Sequence, residues 1–117
     1  MKIIWKEGDA LTGPEAFLAH GCNNKGVMGS GIANQIRLRY EAAYDYYRFC
    51  YHRGGLRLGD VHPIDCRGKV ILNCITQDGY GKDGKQYVDY EAIKQCMIGI
   101  QDYFDSREMK SVTPRVA

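Results

Sequence analysis

The sequence has no excess of charge of either sign. Its 117 residues include 16 basic and 14 acidic side chains, which gives a formal net charge of +2. Tight binding to a long nucleic-acid segment or to an anionic membrane requires a high density of positive charge on the protein surface. The balance therefore gives no reason to expect a nucleic-acid groove or a membrane surface, and it leaves small anionic ligands open.

Long apolar runs are also absent. No stretch approaches the roughly 20 apolar residues of a transmembrane helix, and segment 1–6 lacks the apolar core of a secretory signal. We therefore expect a cytoplasmic protein. A chain of this length forms one domain with a core of its own and has no room for a second. The oligomeric state is not encoded in any feature of the sequence.

The five cysteines form no pattern typical of metal binding or of a disulfide framework. They occupy positions 22, 50, 66, 74 and 96, without a CxxC pair and without a histidine cluster. We expect reduced cysteines in the core, no bound metal and no cofactor. Cys22 lies beside the glycine-rich segment and is the one whose reactivity merits a test, with a packed structural side chain as the alternative.

The most informative segment is HGCNNKGVMGSGIA, from His20 to Ala33. Glycines let a backbone approach a ligand closely, and a helix N-terminus offers unpaired N–H groups to an anion, so the segment favours phosphate binding. It is not a Walker loop, because Lys25 precedes Gly26 and Val27 follows, and its glycine spacing differs from the dinucleotide fingerprint. The structural alternative is a tight turn with close helix packing.

The flanking residues supply the context that such a loop needs. Phe17, Leu18 and Ala19 predict a short buried strand before it. A helix from about Ser30, interrupted near Tyr40-Glu41 and ending before Gly54-Gly55, is predicted by the one-sided spacing of Ile32, Ile36, Tyr40, Ala43 and Tyr47.

A second strand and loop of this kind follow later in the chain. Residues 70–75 read as a strand buried on both faces, and the glycine-rich segment 76–85 follows it. Because ligands collect at the carboxyl ends of strands in open α/β sheets, both loops are expected to face one cleft. We also predict strands at 2–7, 59–64 (an edge strand, because of Pro63) and 111–113, and a helix that Asp89 caps, with the core stripe Ala92, Ile93, Cys96, Met97, Ile100, Tyr103 and Phe104.

Four ordered segments together resemble the macro domain. They are the loop with Arg39-Tyr40 after it, Gly59-Asp60-Val61, Asn73 to Gln77, and Val88 to Ile93. The branch they resemble contains ADP-ribose-1''-phosphate phosphatases and small ADP-ribosyl hydrolases, often from microbes and phages. The resemblance implies a three-layer α/β/α fold with a mixed sheet, and ADP-ribose or ADP-ribose-1''-phosphate as the small-molecule ligand.

The resemblance also implies roles for individual positions. His20 matches a residue proposed to assist the phosphatase chemistry, and hydrogen bonding between strand and loop is its structural alternative. Asp9 matches the acid that bonds the adenine amino group, with the backbone N–H of Ala10 beside it. Asn23 matches the residue that contacts the distal ribose. The other positions that the resemblance places at the ligand are Asn24, Gly29, Ser30, Gly31, Ile32, Thr76, Gln77 and Tyr80.

Two departures limit what the resemblance implies. Hydrolases of this branch that release ADP-ribose from acidic side chains use a lysine where this chain has Gln77, and an amide cannot form the covalent sugar adduct of an amine. They also use an acid in a glycine-rich loop after the strand that Pro114-Arg115 matches, so residues 1–117 are expected to form a single macro-like domain without its C-terminal loop, helix and strand. Three functions stay open: a phosphatase for ADP-ribose-1''-phosphate, a non-catalytic ADP-ribose-binding module, and an inactive truncated domain.

Overall fold

The computed structural model describes residues 2–3, 17–29, 31–79, 87–106, 111–112 and 115–116. In chain order the elements are β1 (Lys2–Ile3), β2 (Phe17–Asn23), α1 (Gly31–Arg39), α2 (Glu41–His52), β3 (Val61–Cys66), β4 (Lys69–Gln77), α3 (Tyr90–Ser106), β5 (Ser111–Val112) and β6 (Arg115–Val116). No helix in these ranges is long and apolar enough to cross a membrane.

The strands form a mixed sheet in the order β3-β4-β2-β6, with β1 pairing with β5 separately. Strands β2 and β4 are parallel, as are β2 and β6, whereas β3 runs antiparallel to β4. Strand β3 therefore lies at the end of this order, and Pro63 is exposed there, as predicted for a residue without an N–H. The antiparallel pair is joined at Arg67 and Gly68, both with positive φ (53° and 85°), which suits a two-residue hairpin.

Helices cover both faces of the sheet, as expected for a three-layer α/β/α fold. Alternate residues of the two central strands face opposite layers, so Ala19 and Leu72 pack against α3 while Leu18 and Ile71 pack against α1 and α2. Residues 71–76 are buried without interruption, which confirms the doubly covered strand.

The helix predictions hold, with one exception. The first helical region breaks at Tyr40 and ends before Gly54, and the Asp89 side chain caps α3 by accepting a hydrogen bond from the Ala92 N–H at 3.0 Å. Met97, predicted to lie in the core, is 44% exposed. It lines a cavity between α3 and the sheet, so its side chain is only partly covered by neighbouring residues.

The strand boundaries differ from the prediction in two places. Residues 20–23, expected in the loop, continue β2, because each pairs with a residue of β4. Strand β3 begins at Val61 rather than at Gly59, whose φ of 94° is a turn conformation. Of the strands predicted at 2–7 and 111–113, residues 2–3 and 111–112 are strands and the remainder lies outside the described residues.

Candidate functional site

Asn23, at the carboxyl end of β2, folds the glycine-rich loop around its own side chain. Its Oδ1 accepts hydrogen bonds from the Lys25 N–H at 2.9 Å and the Val27 N–H at 3.4 Å, and its Nδ2 donates to the Val27 carbonyl at 2.7 Å. The pairing register with β4 shifts between Cys22 and Asn23, which frees this residue from the regular alternation of β2. Among the described residues the second Nδ2 hydrogen has no acceptor, so the side chain shapes the loop and retains one donor for a ligand.

Two side chains of α2 hydrogen-bond to this loop. The hydroxyl of Tyr47 lies 2.7 Å from the Asn23 carbonyl and 2.8 Å from its Oδ1, and burial raises the pKa of this phenol, which keeps it a donor. The guanidinium of Arg48 donates to the Gly26 carbonyl at 2.7 Å. Gly26 has a φ of 79°, and a Cβ there would lie 2.7 Å from the Tyr51 ring, so only glycine fits.

Asn24 connects the two predicted loops. Its N–H donates to the Gln77 carbonyl at 3.0 Å, its Nδ2 donates to Asp78 at 3.1 Å, and its Oδ1 accepts from the Gly79 N–H at 3.1 Å. The two loops therefore meet at one edge of the sheet, as expected for loops that follow parallel neighbours. The prediction that the two loops lie together is confirmed for Asn24 and residues 77–79, and the expectation that they face one cleft stays a prediction.

The loop leads directly into a helix N-terminus. Helix α1 begins at Gly31 and has no acidic residue in its first turn, so its positive end is not neutralised by its own sequence. Among the described residues, the Met28 and Gly29 N–H groups donate to no acceptor. These amides and the helix N-terminus suit the binding of an anion such as a phosphate.

A cavity of about 240 Å³ lies between α3 and the two strands that precede these loops, β2 and β4. Gly21 lies in its wall, opposite Cys74 in the register of β2 and β4, and a Cβ at Gly21 would lie 2.7 Å from the Thr76 hydroxyl. The remaining wall is mainly apolar and consists of Ala19, His20, Val88, Ile93, Cys96, Met97 and Ile100. An apolar wall with one hydroxyl is typical of a site that takes part of a small organic ligand.

Two cysteines of this wall interact with each other. Hydrogen bonding with Cys74 lowers the pKa of the Cys96 thiol, and the same contact, together with burial, raises the pKa of Cys74. All five cysteines are free thiols, and all but Cys50 are buried. Burial raises the pKa of Cys22, so this thiol is a packed side chain and not an activated nucleophile.

His20 lies in the strand that borders the cavity, but its ring is held on the α1 and α2 side of the sheet. It faces Asn73 directly across β2 and β4, and its Nε2 lies 2.6 Å from the Asn73 Oδ1. The Nδ2 of Asn73 in turn donates to the Ala43 carbonyl at 3.1 Å. The side chain is 2% exposed, and burial lowers the pKa of His20 to about 4, which makes it a neutral imidazole at pH 7.

The remaining predicted ligand residues divide into two groups. Thr76 is buried in the cavity wall, and Gln77 lies beside it at the end of β4, where its carbonyl is bonded to Asn24. The backbone of Gly31 and Ile32 forms the first turn of α1. The predicted residues Asp9, Ala10, Ser30 and Tyr80 lie outside the described residues.

Three residues of the site were not found from the sequence. Tyr47 and Arg48 support the loop from α2, and Asn73 bonds His20 from within a buried strand. Tyr47 fits the apolar stripe of its helix, so its hydroxyl gives no separate signal. A polar Asn in an otherwise apolar strand was a signal that its partner had to be polar too. In the described ranges no group of three or more His, Cys, Asp or Glu side chains is arranged to hold a metal ion.

Comparison with known proteins finds similarity along most of the chain, although no family model matches it. The chain is 24% identical over 123 residues to the ADP-ribose 1''-phosphate phosphatase of Candida albicans. The aligned region covers 98% of this chain and 77% of that protein. It is 30% identical over 92 residues to the DNA ADP-ribosyl glycohydrolase of Mycobacterium bovis. Here the aligned region covers 74% of this chain but only 26% of that protein.

Solved structures give the same result at the level of the fold. The macrodomain of Mycobacterium tuberculosis DarG superposes with a TM-score of 0.79 at 26% identity, covering 96% of this chain and 74% of that one. Thermosipho africanus DarTG in complex with ADP-ribose superposes with a TM-score of 0.77 at 16% identity, covering 96% of this chain and 32% of that one.

Proposed function

Because this chain is a macro domain of the branch that contains ADP-ribose-1''-phosphate phosphatases and related ADP-ribosyl hydrolases, we propose that it binds ADP-ribose or a derivative. We further propose that it removes the terminal phosphate from ADP-ribose-1''-phosphate. The relative from Candida albicans bears the name of that activity, and Thermosipho africanus DarTG is described in complex with ADP-ribose.

The observation that carries the proposal is the loop between β2 and α1. Its Met28 and Gly29 amides have no acceptor among the described residues, and they lie next to the N-terminus of α1. A diphosphate supplies the acceptors that these amides need, and its charge is favoured by the helix dipole. Residues 29–32, which include Ser30, would in this arrangement hold the diphosphate.

The other predicted residues then surround the sugar and the base. In this proposal the second Nδ2 hydrogen of Asn23 bonds the distal ribose, Asp9 and Ala10 bond the adenine, and Gln77 and Tyr80 contact the ligand from the second loop. The cavity beside Thr76 has an apolar wall and takes an apolar part of the ligand.

The phosphatase reaction is a hydrolysis. A water oxygen attacks the terminal phosphorus, the bond from phosphorus to the C1'' oxygen breaks, and the products are inorganic phosphate and ADP-ribose. The developing charge on the phosphoryl oxygens is stabilised by backbone N–H groups of the loop. His20 is the candidate to orient the water, a role that requires its ring to leave the hydrogen bond to Asn73.

One observation favours the second function, binding without chemistry. The His20 ring is buried, and its hydrogen bond to Asn73 continues to the Ala43 carbonyl. A histidine in such a network holds strands and helices together without contacting substrate. Gln77 stands where the hydrolases that release ADP-ribose from acidic side chains use a lysine, and this difference argues against ADP-ribosyl hydrolysis by this chain.

Calorimetric titration with ADP-ribose tests the binding site. We expect wild-type protein to bind, Asp9→Ala to bind more weakly by about 1–2 kcal/mol because a hydrogen bond to the base is lost, and Gly31→Val to lose binding because a branched side chain fills the place of the ligand. Circular dichroism of each variant shows whether it is folded. If folded wild-type protein gives no heat at millimolar ligand, both binding and catalysis are refuted.

Release of inorganic phosphate from ADP-ribose-1''-phosphate separates the two functions. If the reaction depends on His20, wild-type protein releases phosphate and the His20→Gln variant releases it at least tenfold more slowly. Glutamine is close in size to histidine and keeps a hydrogen-bond donor for Asn73. Equal rates in the two proteins would remove His20 from the mechanism. Tight ADP-ribose binding with no phosphate release identifies the binding module.

A further inference from the structure

The second half of α2, with the turn after it, concentrates basic and aromatic side chains. Residues 46–57, YYRFCYHRGGLR, contain three arginines, one histidine and four aromatic residues, and no carboxylate. The two acids of α2, Glu41 and Asp45, lie in its first half. In a chain whose net charge is only +2, this is a local surface of positive charge and not a general property.

Three of these side chains form a ladder of flat groups on one face of the helix. The rings of Tyr46 and Phe49 are stacked, with centroids 6.2 Å apart and planes at 30°. The guanidinium of Arg53 lies over the Phe49 ring at 5.3 Å. Spacings of three and four residues place all three on the same face. Tyr46 is 43% and Phe49 54% exposed, so the ladder faces solvent.

A second group of basic and aromatic side chains on the same helix contacts the loop. The Arg48 guanidinium lies 5.3 Å from the centre of the Tyr51 ring and donates to the Gly26 carbonyl, and it also lies 3.1 Å from the His52 Nε2. Tyr51 is 38% exposed. The helix that carries the ladder therefore also contacts the proposed ADP-ribose loop, through Arg48.

We propose that the surface formed by Tyr46, Phe49 and Arg53 binds a short single-stranded segment of nucleic acid. Arg57, after the turn, lies 3.9 Å from the Asp60 carboxylate and exchanges this partner for a phosphate of the strand. Bases stack on exposed aromatic rings and guanidinium planes, and phosphates pair with the arginines, which is the combination that this surface offers. A duplex hides its base faces, so it has no use for the rings. The surface is short, which agrees with the absence of a long basic groove, and the proposal does not depend on ADP-ribose binding.

Fluorescence anisotropy of a labelled 12-nucleotide deoxythymidine strand tests the proposal. We expect binding at 50 mM salt that weakens about tenfold at 200 mM salt, the dependence expected when two or three phosphates are neutralised. Phe49→Ala is expected to weaken binding at least about fivefold through loss of base stacking, and Arg53→Gln to weaken it and reduce the salt dependence.

Matched controls lie on α3, in the opposite layer. Ile98→Ala removes an equally exposed apolar side chain and Lys94→Gln removes a surface charge, and neither is expected to change the affinity. Thermal melting and the ADP-ribose titration of Phe49→Ala and Arg53→Gln are expected to match the wild type. A failure of ADP-ribose binding alone therefore leaves the strand result interpretable.

Four outcomes would overturn the proposal. They are no binding of the strand at 50 mM salt, equal affinity for a duplex of the same length, binding to phosphatidylserine vesicles but not to the strand, and unchanged affinity in both α2 variants. The third outcome assigns the surface to an anionic membrane, for which aromatic and arginine side chains on a helix are also suited.

Discussion

His20 shows how one residue serves either chemistry or architecture depending on what surrounds it. Because His20 and Asn73 are direct neighbours across parallel strands, their hydrogen bond needs no loop to form. Asn73 also bonds the Ala43 carbonyl of α2, so one buried chain of hydrogen bonds connects two strands and a helix. A resemblance between sequences carries a residue type to this position, but it does not carry the direction of the side chain.

The pKa of His20 gives a prediction about stability against pH. Its folded pKa of about 4 lies below the ordinary 6.5, so the unfolded chain takes up the proton first as pH falls. Stability from this residue is therefore complete above pH 6.5 and is lost as pH falls towards 4. Between pH 7 and pH 5 we expect wild-type protein to lose about 2 kcal/mol more unfolding free energy than His20→Gln, measured by urea denaturation.

His62, whose pKa is also lowered by burial, is present in both proteins and cancels from the comparison. Equal pH dependence in the wild type and His20→Gln would mean that the imidazole is not held neutral in the folded state.

At the scale of elements, the loop after β2 is built by contacts from α2. Gly26 needs a positive φ and also has no room for a Cβ, since the Tyr51 ring lies 2.7 Å from where it would be. Gly54 has a similar φ of 71° but nothing within 4 Å of a Cβ. A substitution at Gly54 therefore measures the destabilisation from backbone conformation alone, and one at Gly26 adds the destabilisation from a close contact.

We expect Gly54→Ala to lower the unfolding free energy by about 1 kcal/mol, the cost of a left-handed conformation in a residue with a Cβ. Gly26→Ala is expected to cost at least about 1 kcal/mol more, because the Tyr51 ring and Arg48 have to move. Urea denaturation measures both. In Tyr51→Ala, the additional cost of Gly26→Ala is expected to shrink, and equal losses at the two glycines would mean that the loop does not rest on α2.

The elements themselves were largely predictable, and the reason is local. The break at Tyr40, the end of α2 before Gly54 and the buried strand β4 each follow from spacing or composition within a few residues. The end of β2 did not, because residues 20–23 look like a loop until their pairing with β4 is known. Nor did the exposure of Met97, since periodicity marks the face of a helix but not a cavity beside that face.

At the scale of the whole molecule, the site depends on which strands become neighbours. The sequence indicates two loops after two buried strands, and the parallel pairing of β2 and β4 brings them together through Asn24. The cavity, by contrast, is formed by residues of β2, β4 and α3 together with Val88, which lie up to 81 positions apart in the sequence, so no local pattern marks it. The expectation that residues 1–117 form one macro-like domain without its last loop, helix and strand stays a prediction.

Thiol reactivity tests whether ligand enters this cavity. Cys50 is half-buried and is expected to react first with Ellman's reagent, followed by Cys96, which lines the cavity and whose pKa is lowered by hydrogen bonding with Cys74. The other buried thiols are expected to react only on unfolding. Cys50→Ser and Cys96→Ser identify the two phases.

ADP-ribose at ten times its Kd is expected to slow the second phase about tenfold and leave the first unchanged, because only about a tenth of the protein then has an unoccupied cavity. If calorimetry shows binding while the second phase keeps its rate, the ligand lies on the loop alone and the cavity has another role.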